Sequence, residues 1–435
     1  MKDAVATEPT PPTNGAPSPS AIDDEAIATS WRPAIMAIVA MAIGSFGGAV
    51  ATTALAIQLF NVREREADLG FLGLAEFIPG VALVLVTGLV ADRFDRRRIG
   101  SIVNVGEGML FLAVAAFVRH APSTVFPFFF AAALFGICRS FGAPALRSLI
   151  PASAPAGQLE RTTATMSLSW QGAFIAGPVV GALANKAYRP LPHLIAAGCL
   201  LTSAVLIQLI PSAIGRAHLR RASRVTERPS LATAMEGIRF IRRTPILLAA
   251  ISLDLFAVLF GGAVALLPAI VEKVLKVDDV WVGYLRACGG IGAALVTIGL
   301  AWRPLARHVG RVLLASVALF GVATVMLGVT RSVWVAAIAF FLLNAGDSVS
   351  VFVRSTLVPM VTPPDQRGRV LAAESIFIGA SNELGAFESG MAAALFGTTI
   401  AVVSGGAATL LVVGAFWFAF PTLRNVDRFS DLRRG

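Results

Sequence analysis

The chain has 435 residues, 56% of them hydrophobic and only 14% charged, and its mean hydropathy is +0.75. Soluble domains carry about 25% charged residues, so most of this chain's surface must face lipid, which excludes a soluble globular enzyme. A net charge of +10 would point to nucleic acid in a soluble protein. Here the arginines lie in loops between apolar segments, so the implied partner is a lipid bilayer and no nucleic acid is expected.

Residues 1–31 are rich in Pro, Ala, Thr and Ser and are mildly acidic. They lack the basic stretch followed by an apolar stretch that marks a signal peptide, and read as a disordered cytoplasmic tail. Crossing the hydrocarbon core takes roughly 20 apolar residues, and lipid requires each backbone group to be satisfied within the segment. The apolar runs therefore predict helical spans near 33–57, 69–91, 99–119, 124–146, 163–185 and 191–211. After a basic break, six more follow near 246–271, 280–301, 311–330, 333–360, 370–393 and 397–420.

The predicted fold is an all-α membrane protein with twelve transmembrane helices in two six-helix bundles, 32–211 and 246–420. A cytoplasmic linker (212–245) joins the bundles, and residues 421–435 form a cytoplasmic tail. Within the linker, SLATAMEGIRFIRR reads as an amphipathic surface helix. An even split permits parallel repeats about an axis along the membrane normal, with a binding site near the midplane. Orientation follows from the basic residues. With both termini cytoplasmic, 25 of the 36 Lys and Arg fall on cytoplasmic segments and eight lie outside: Arg63, Arg65, Arg119, Lys186, Arg189, Lys273, Lys276 and Arg331. The other three, Arg139, Arg286 and Arg354, sit within spans.

Between spans two and three the chain reads Gly88-Leu-Val-Ala-Asp92-Arg93-Phe-Asp95-Arg96-Arg97-Arg98. This resembles the cytoplasmic signature of the major facilitator superfamily, with Asp95 standing where many members have glycine. The matching turn of the second half, Trp302 to Arg311, keeps basic residues but no aspartate. Arg139-Ser-Phe-Gly142 on span four resembles the family's buried arginine motif, which implies a place near Asp92. On span five, Gly172, Gly177, Pro178 and Gly181 resemble the Gly-Pro motif of the family's exporters, where small residues allow close packing and proline a kink. Generic close packing of membrane helices is the other reading of that run. Residues 236–270, 344–370 and 375–390 are similar to the branch holding the enterobactin exporter and macrolide efflux proteins. The resemblance implies proton-driven export by a functional monomer. It also implies a cytoplasmic gate at Gly88, Asp92, Arg93, Arg97, Arg139 and Glu374.

Ionisable residues inside a membrane usually face a cavity or a partner. Glu107 on span three, Asp254 on span seven, Asp347 on span ten and Glu383 on span eleven are candidate proton carriers, because a low dielectric disfavours the charged carboxylate. Asn344, Asp347, Ser348, Arg354 and Ser355 form one polar stripe on span ten. Asp347 and Arg354 lie roughly 10 Å apart along the axis, so a substrate, a water or another helix is needed to link them. On span eleven, Glu374 and Glu388 share a face that Glu383 does not, so the three do not line a single cavity. Glu383 is the better proton candidate and Glu374 reads as a gating partner. Asp254 suits gate pairing as well as proton binding, and Glu107 fits either a proton or a neighbouring helix. Glu76 and Arg286 are expected near the headgroups, with a periplasmic gate pair as the other reading.

Cys138, Cys199 and Cys288 fall in apolar segments without metal-ligand or CxxC spacing, and His120, His193, His218 and His308 are scattered, expected in loops or at helix ends. Neither a metal nor another cofactor is implied. No nucleotide-binding G-x-x-x-x-G-K-[ST] loop occurs, and no nucleophile–base pair suggests an enzyme. The reading is a secondary transporter of the bacterial inner membrane, a proton-coupled exporter of small amphipathic molecules. The rivals are an importer or lipid flippase on the same scaffold, or a non-transporting sensor.

Overall fold

The computed structural model describes residues 30–83, 86–87, 90, 93–120, 122–215 and 231–433. Gly88 and Asp92, the N-terminal tail and much of the linker lie outside them. The first half holds α1 (Arg32–Arg63), α2 (Glu66–Ala82), α3 (Arg96–Val118), α4 (Phe126–Ala152), α5 (Leu159–Ala187) and α6 (Leu191–Leu209). The amphipathic linker helix α7 spans Leu231–Arg243. The second half holds α8 (Pro245–Phe260), α9 (Val280–Trp302), α10 (Val309–Val329), α11 (Val333–Val361), α12 (Arg367–Phe396) and α13 (Thr398–Ala419). Among the described residues, ten helices are long and apolar enough to cross a membrane. The other two segments predicted to span contain α2 and the 30-residue α12, which carries Glu374, Glu383 and Glu388.

Packing follows the same plan in both halves. In the first, α1 lies on α5 and α6, α2 on α4, and α3 on α4 and α6. In the second, α8 lies on α12 and α13, α9 on α11, and α10 on α11 and α13. Each contact of one half thus has its counterpart in the other. The halves meet through α2 against α12 and α5 against α9, pairs that the same pseudo-symmetry exchanges.

Among the described residues the halves differ at the first span of each. α1 is continuous, whereas the predicted span 246–271 breaks at Gly261. A 3-10 turn (Gly262–Val264), a short helical turn (Leu267–Ala269) and a π-turn (Ile270–Leu275) follow, ending at left-handed Lys276. Glycine is required at the break: a Cβ at Gly261 would meet the Phe320 ring, and one at Gly262 the Gly385 carbonyl of α12.

The apolar core is distributed unevenly along the helices. On the side away from the linker, here the far side, one cluster joins both halves, combining Ile57, Phe60, Leu69 and Ala182 with Leu266, Val274, Val282 and Leu285. On the linker side each half has its own cluster. Ile38, Leu149 and Ile207 belong to the first, and Leu247, Leu313, Val353 and Val370 to the second.

Candidate functional site

The second half encloses an ion cluster. α8 presents Asp254, α11 presents Asp347, Ser350 and Arg354, and α12 presents Glu374. Arg354 Nη2 is 2.7 Å from Asp254 Oδ1 and Arg354 Nη1 is 3.9 Å from Glu374 Oε1, with all three side chains under 10% exposed. Asp347 shares a cavity of about 10 Å³ with Asp254, Ser316, Gly346, Phe320 and Ser350, room for about one water. The Ser350 hydroxyl has no hydrogen-bond partner of good geometry, only an imperfect approach to the Asp254 carboxylate. Asp254 of α8 thus pairs with Arg354 and shares the cavity with Asp347. Asn344 does not join this cluster: it donates to its own Phe340 carbonyl and fills the space left by Gly289 on α9.

A second set of charges lies between the halves. Arg139 Nη1 is 3.3 Å from Glu76 Oε1 and stacks over Phe135 at 5.4 Å. Glu76 is ten residues into α2, roughly 15 Å from its far-side end, so it is not the headgroup residue expected from sequence. The cause is Gly136, one turn before Arg139. Its missing side chain lets α4 close on the backbone carbonyl of Glu76, which aims Arg139 at the Glu76 carboxylate. Among the described residues Arg139 is thus engaged by Glu76, while Asp92 lies outside them. Glu383 of α12 lies against Gly73 of α2, its Oε2 2.5 Å from where a Cβ would stand. Glu107 of α3 is buried, and Glu76 and Arg139 act electrostatically on both Glu107 and Glu383. The opposed faces of Glu374 and Glu383 are real: one meets Arg354 inside the second half, the other meets α2.

Polar contacts between the halves gather on the far side. Lys273 Nζ donates to Glu66 Oε1 (2.8 Å) and to the Glu64 carbonyl (2.6 Å), and lies 5.3 Å from the Phe60 ring. The carbonyl belongs to the left-handed C-cap of α1, where the helix dipole favours a cation. Thr398 also donates to Glu66 (3.0 Å), Lys186 pairs with Asp278 (2.6 Å), and Asn61 donates to Asp279 (2.8 Å). The Lys186 ammonium and the Val280 N–H hold the Asp278 carboxyl below the usual carboxylate range. Deeper, Arg286 donates to Thr53 (3.3 Å) and Gln171 to the Gly290 carbonyl (3.1 Å). Arg286 is thus a contact between halves, which corrects the headgroup expectation. Linker-side of Gln171, Leu168 and Trp170 of α5 and Leu295 and Trp302 of α9 are exposed. These latch residues were missed; the sign to look for was Glu64, Glu66, Asp278 and Asp279 flanking Lys186 and Lys273 at the far-side helix ends.

The described part of the gate turn is an intrabundle brace. Asp95 caps α3, accepting from the Arg97 N–H (3.0 Å), and pairs with the Arg97 guanidinium (2.9 Å). Arg97 also donates to the Gln208 and Ile210 carbonyls, fastening the start of α3 to the end of α6, while Arg93 is exposed. On span five, Gly177 and Gly181 meet the backbone of α1, and the Pro178 carbonyl meets Gly283 of α9. Gly172 faces open space, so close packing does not explain that member of the motif. His193 lies at a helix end as expected, in the first turn of α6, but it is not solvated. It is fully buried, stacked on Phe111 and 2.9 Å from Gln58 Oε1.

Together these features define a helical membrane carrier of two equivalent halves, with charged residues set within and between them. The sequence profile of the Major Facilitator Superfamily matches residues 34–313, and the chain belongs to that superfamily. It is a carrier, not an enzyme. An uncharacterized MFS-type transporter, YfiS of Bacillus subtilis (strain 168), is 24% identical over 371 residues, covering 82% of this chain and 86% of the relative. Among solved structures, the nucleoside transporter NupG (D323A mutant) aligns with a TM-score of 0.72 at 10% identity, covering 88% of this chain and 99% of that one. A bacterial homologue of the iron transporter ferroportin, in an inward-facing state, aligns with a TM-score of 0.66 at 16% identity, covering 92% and 100%.

Proposed function

We propose that this protein is a proton-coupled exporter of small amphipathic molecules, of the siderophore or drug and macrolide class, working by alternating access. It is read as a twelve-span, functionally monomeric protein of the bacterial inner membrane. The distribution of Lys and Arg supports cytoplasmic termini, which makes the far side periplasmic and the described state open toward the cytoplasm. The observation that carries proton coupling is the charge balance of the enclosed cluster. One guanidinium, Arg354, stands among Asp254, Glu374 and Asp347. A single cation balances one carboxylate and leaves two, and uncompensated charge in a low dielectric is costly, so protons are the natural complement. Asp347, beside the cavity, is assigned the exchangeable proton. Arg354 is assigned the exchange of partners between Asp254 and Glu374, while Glu383 and Glu107 line the cargo path with Arg139. The Gly-Pro run of α5 supports export.

The test uses liposomes containing the purified protein and a trapped pH dye, challenged with siderophores and hydrophobic antibiotics. Cargo-triggered proton movement should be lost in Asp347→Asn and retain less than a tenth of its rate in Glu383→Gln, with both variants folded. Unchanged movement in both would remove these residues from the proton path, and uptake of cargo in the opposite sense in inverted vesicles would favour the importer reading. Cargo flux without proton movement would overturn the coupling.

A further inference from the structure

A cavity outside the carrier pathway is built for an anion. It lies on the linker side of the second half, where the start of α10 meets the segment after α13. Its volume is about 330 Å³, and His308, Arg311, Arg424, Asn425, Val426 and Asp427 line it. That volume is at the lower end for a small-ligand pocket. Arg311 and Arg424 form no ion pair among the described residues. Arg424 is held in place by neutral groups: it donates to the Trp417 carbonyl (3.3 Å), approaches Asn425 Oδ1 (3.5 Å) and lies 5.3 Å from the Trp417 ring.

The cavity's one carboxylate is already employed. Asp427 accepts from the His308 N–H (3.1 Å), lies 3.7 Å from Arg428 and is 3.8 Å from the His308 ring. The pocket therefore keeps unbalanced positive charge. Its wall is firm, because the Val309 and Gly310 N–H groups donate to the Asp427 and Val426 carbonyls, while Leu423 and Val426 are buried in the second half's core.

Its level in the bilayer identifies the occupant. α13 ends at Ala419 with Trp417 and the strongly exposed Phe418 in its last turn, and aromatic residues of this kind mark the membrane–water interface. The pocket thus sits at headgroup height, beside an apolar surface fit for acyl chains. Basic pockets at that height select anionic headgroups. We infer that this cavity binds the phosphodiester headgroup of an anionic phospholipid, with Arg311 and Arg424 as the charged ligands. The bound lipid clamps the C-terminal segment to α10. The inference rests on neither cargo nor proton coupling.

The test is binding of brominated phosphatidylglycerol to the full chain in detergent, read by quenching of Trp417 against a Trp417→Phe control. Phosphatidylcholine and inorganic phosphate serve as comparisons. Phosphatidylglycerol should bind at least fivefold tighter than phosphatidylcholine, roughly what one basic residue contributes at an anionic surface. Arg311→Gln, a substitution at an exposed position, should weaken that preference, and the Arg311→Gln/Arg424→Gln pair should abolish it. Equal binding of the two lipids, or a preference that survives in the double variant, would overturn the site. Competition by inorganic phosphate at the same concentration as lipid would overturn the lipid as occupant in favour of free phosphate.

Discussion

The buried guanidinium of Arg354 shows how one residue organises three helices. Removing one partner of a buried ion pair costs about 3–5 kcal/mol, because the remaining charge is stranded. For Asp254→Asn the cost should fall near the bottom of that range, since Glu374 is only 3.9 Å from the guanidinium and can close on it. Arg354→Met should be destabilising as well until the medium is acidified, when protonation of the three carboxyls relieves their repulsion. Thermal unfolding in detergent checks both: a lowered Tm at neutral pH for each variant, with partial recovery on acidification for Arg354→Met alone. Recovery of Asp254→Asn by acid would contradict the assignment of Asp254 as the counter-charge.

Between elements, small residues decide where helices touch, and sequence motif and steric need do not coincide. Gly136 carries no motif, yet a Cβ there would collide with the Glu76 backbone. Gly136→Ala should therefore part α2 from α4, cost about 1–3 kcal/mol as overpacking does, and detach Arg139 from Glu76. Gly181→Ala should be comparably harmful, because its Cβ would lie 2.5 Å from the Val50 carbonyl of α1. Gly172→Ala, in the same motif, should change stability by less than about 0.5 kcal/mol, since nothing lies within 4 Å. Melting temperatures of the three variants give the ranking, and equal losses at Gly172 and Gly181 would refute it. The signature turn of the second half makes the same point. It has no aspartate of its own, and Asp427 of the C-terminal segment supplies the carboxylate to the start of α10. A contact across 119 residues leaves no local trace in the chain.

For the whole molecule, the proposed alternating access gives the far-side contacts a role in the balance between conformations. Lys186–Asp278 is half-exposed, and such pairs contribute only about 0–1 kcal/mol. Lys273–Glu66 is better shielded and carries two further contacts. Lys273→Gln should shift the population toward a far-side-open state by about fivefold, the equivalent of about 1 kcal/mol. A cysteine at Ala182, buried in the seam against Gly283, should then react faster with a thiol reagent from that side, in a background lacking the three native cysteines. The Lys186–Asp278 link should be indifferent to moderate acid. A carboxyl whose folded-state value is lowered contributes fully above its ordinary value and loses that contribution only as pH falls through the lowered one. The effect of Lys186→Gln on seam labelling should therefore be the same at about pH 5 and about pH 8, both above the ordinary aspartate value. A larger effect at the higher pH would show that Asp278 titrates in that range.

Sequence alone determined that the chain is built from apolar helices and that Glu374 and Glu383 lie on opposed faces, though not the break of the span 246–271 at Gly261. These follow from local rules: the thickness of the hydrocarbon core, the demand that each backbone group be bonded, and 100° of rotation per residue. The partners of the charges were decided only by tertiary structure. Glu76 meets Arg139 because Gly136 admits a neighbouring backbone, Asp254 meets Arg354 from another helix, and Lys273 reaches the end of α1 through a broken span. Such pairings depend on which helices adjoin and at what depth, and residues dozens to hundreds apart in the chain carry no periodicity that records it. The family relationship made the two-bundle frame legible; the seams within that frame arise from side-chain volume, where one missing Cβ moves a helix by ångströms.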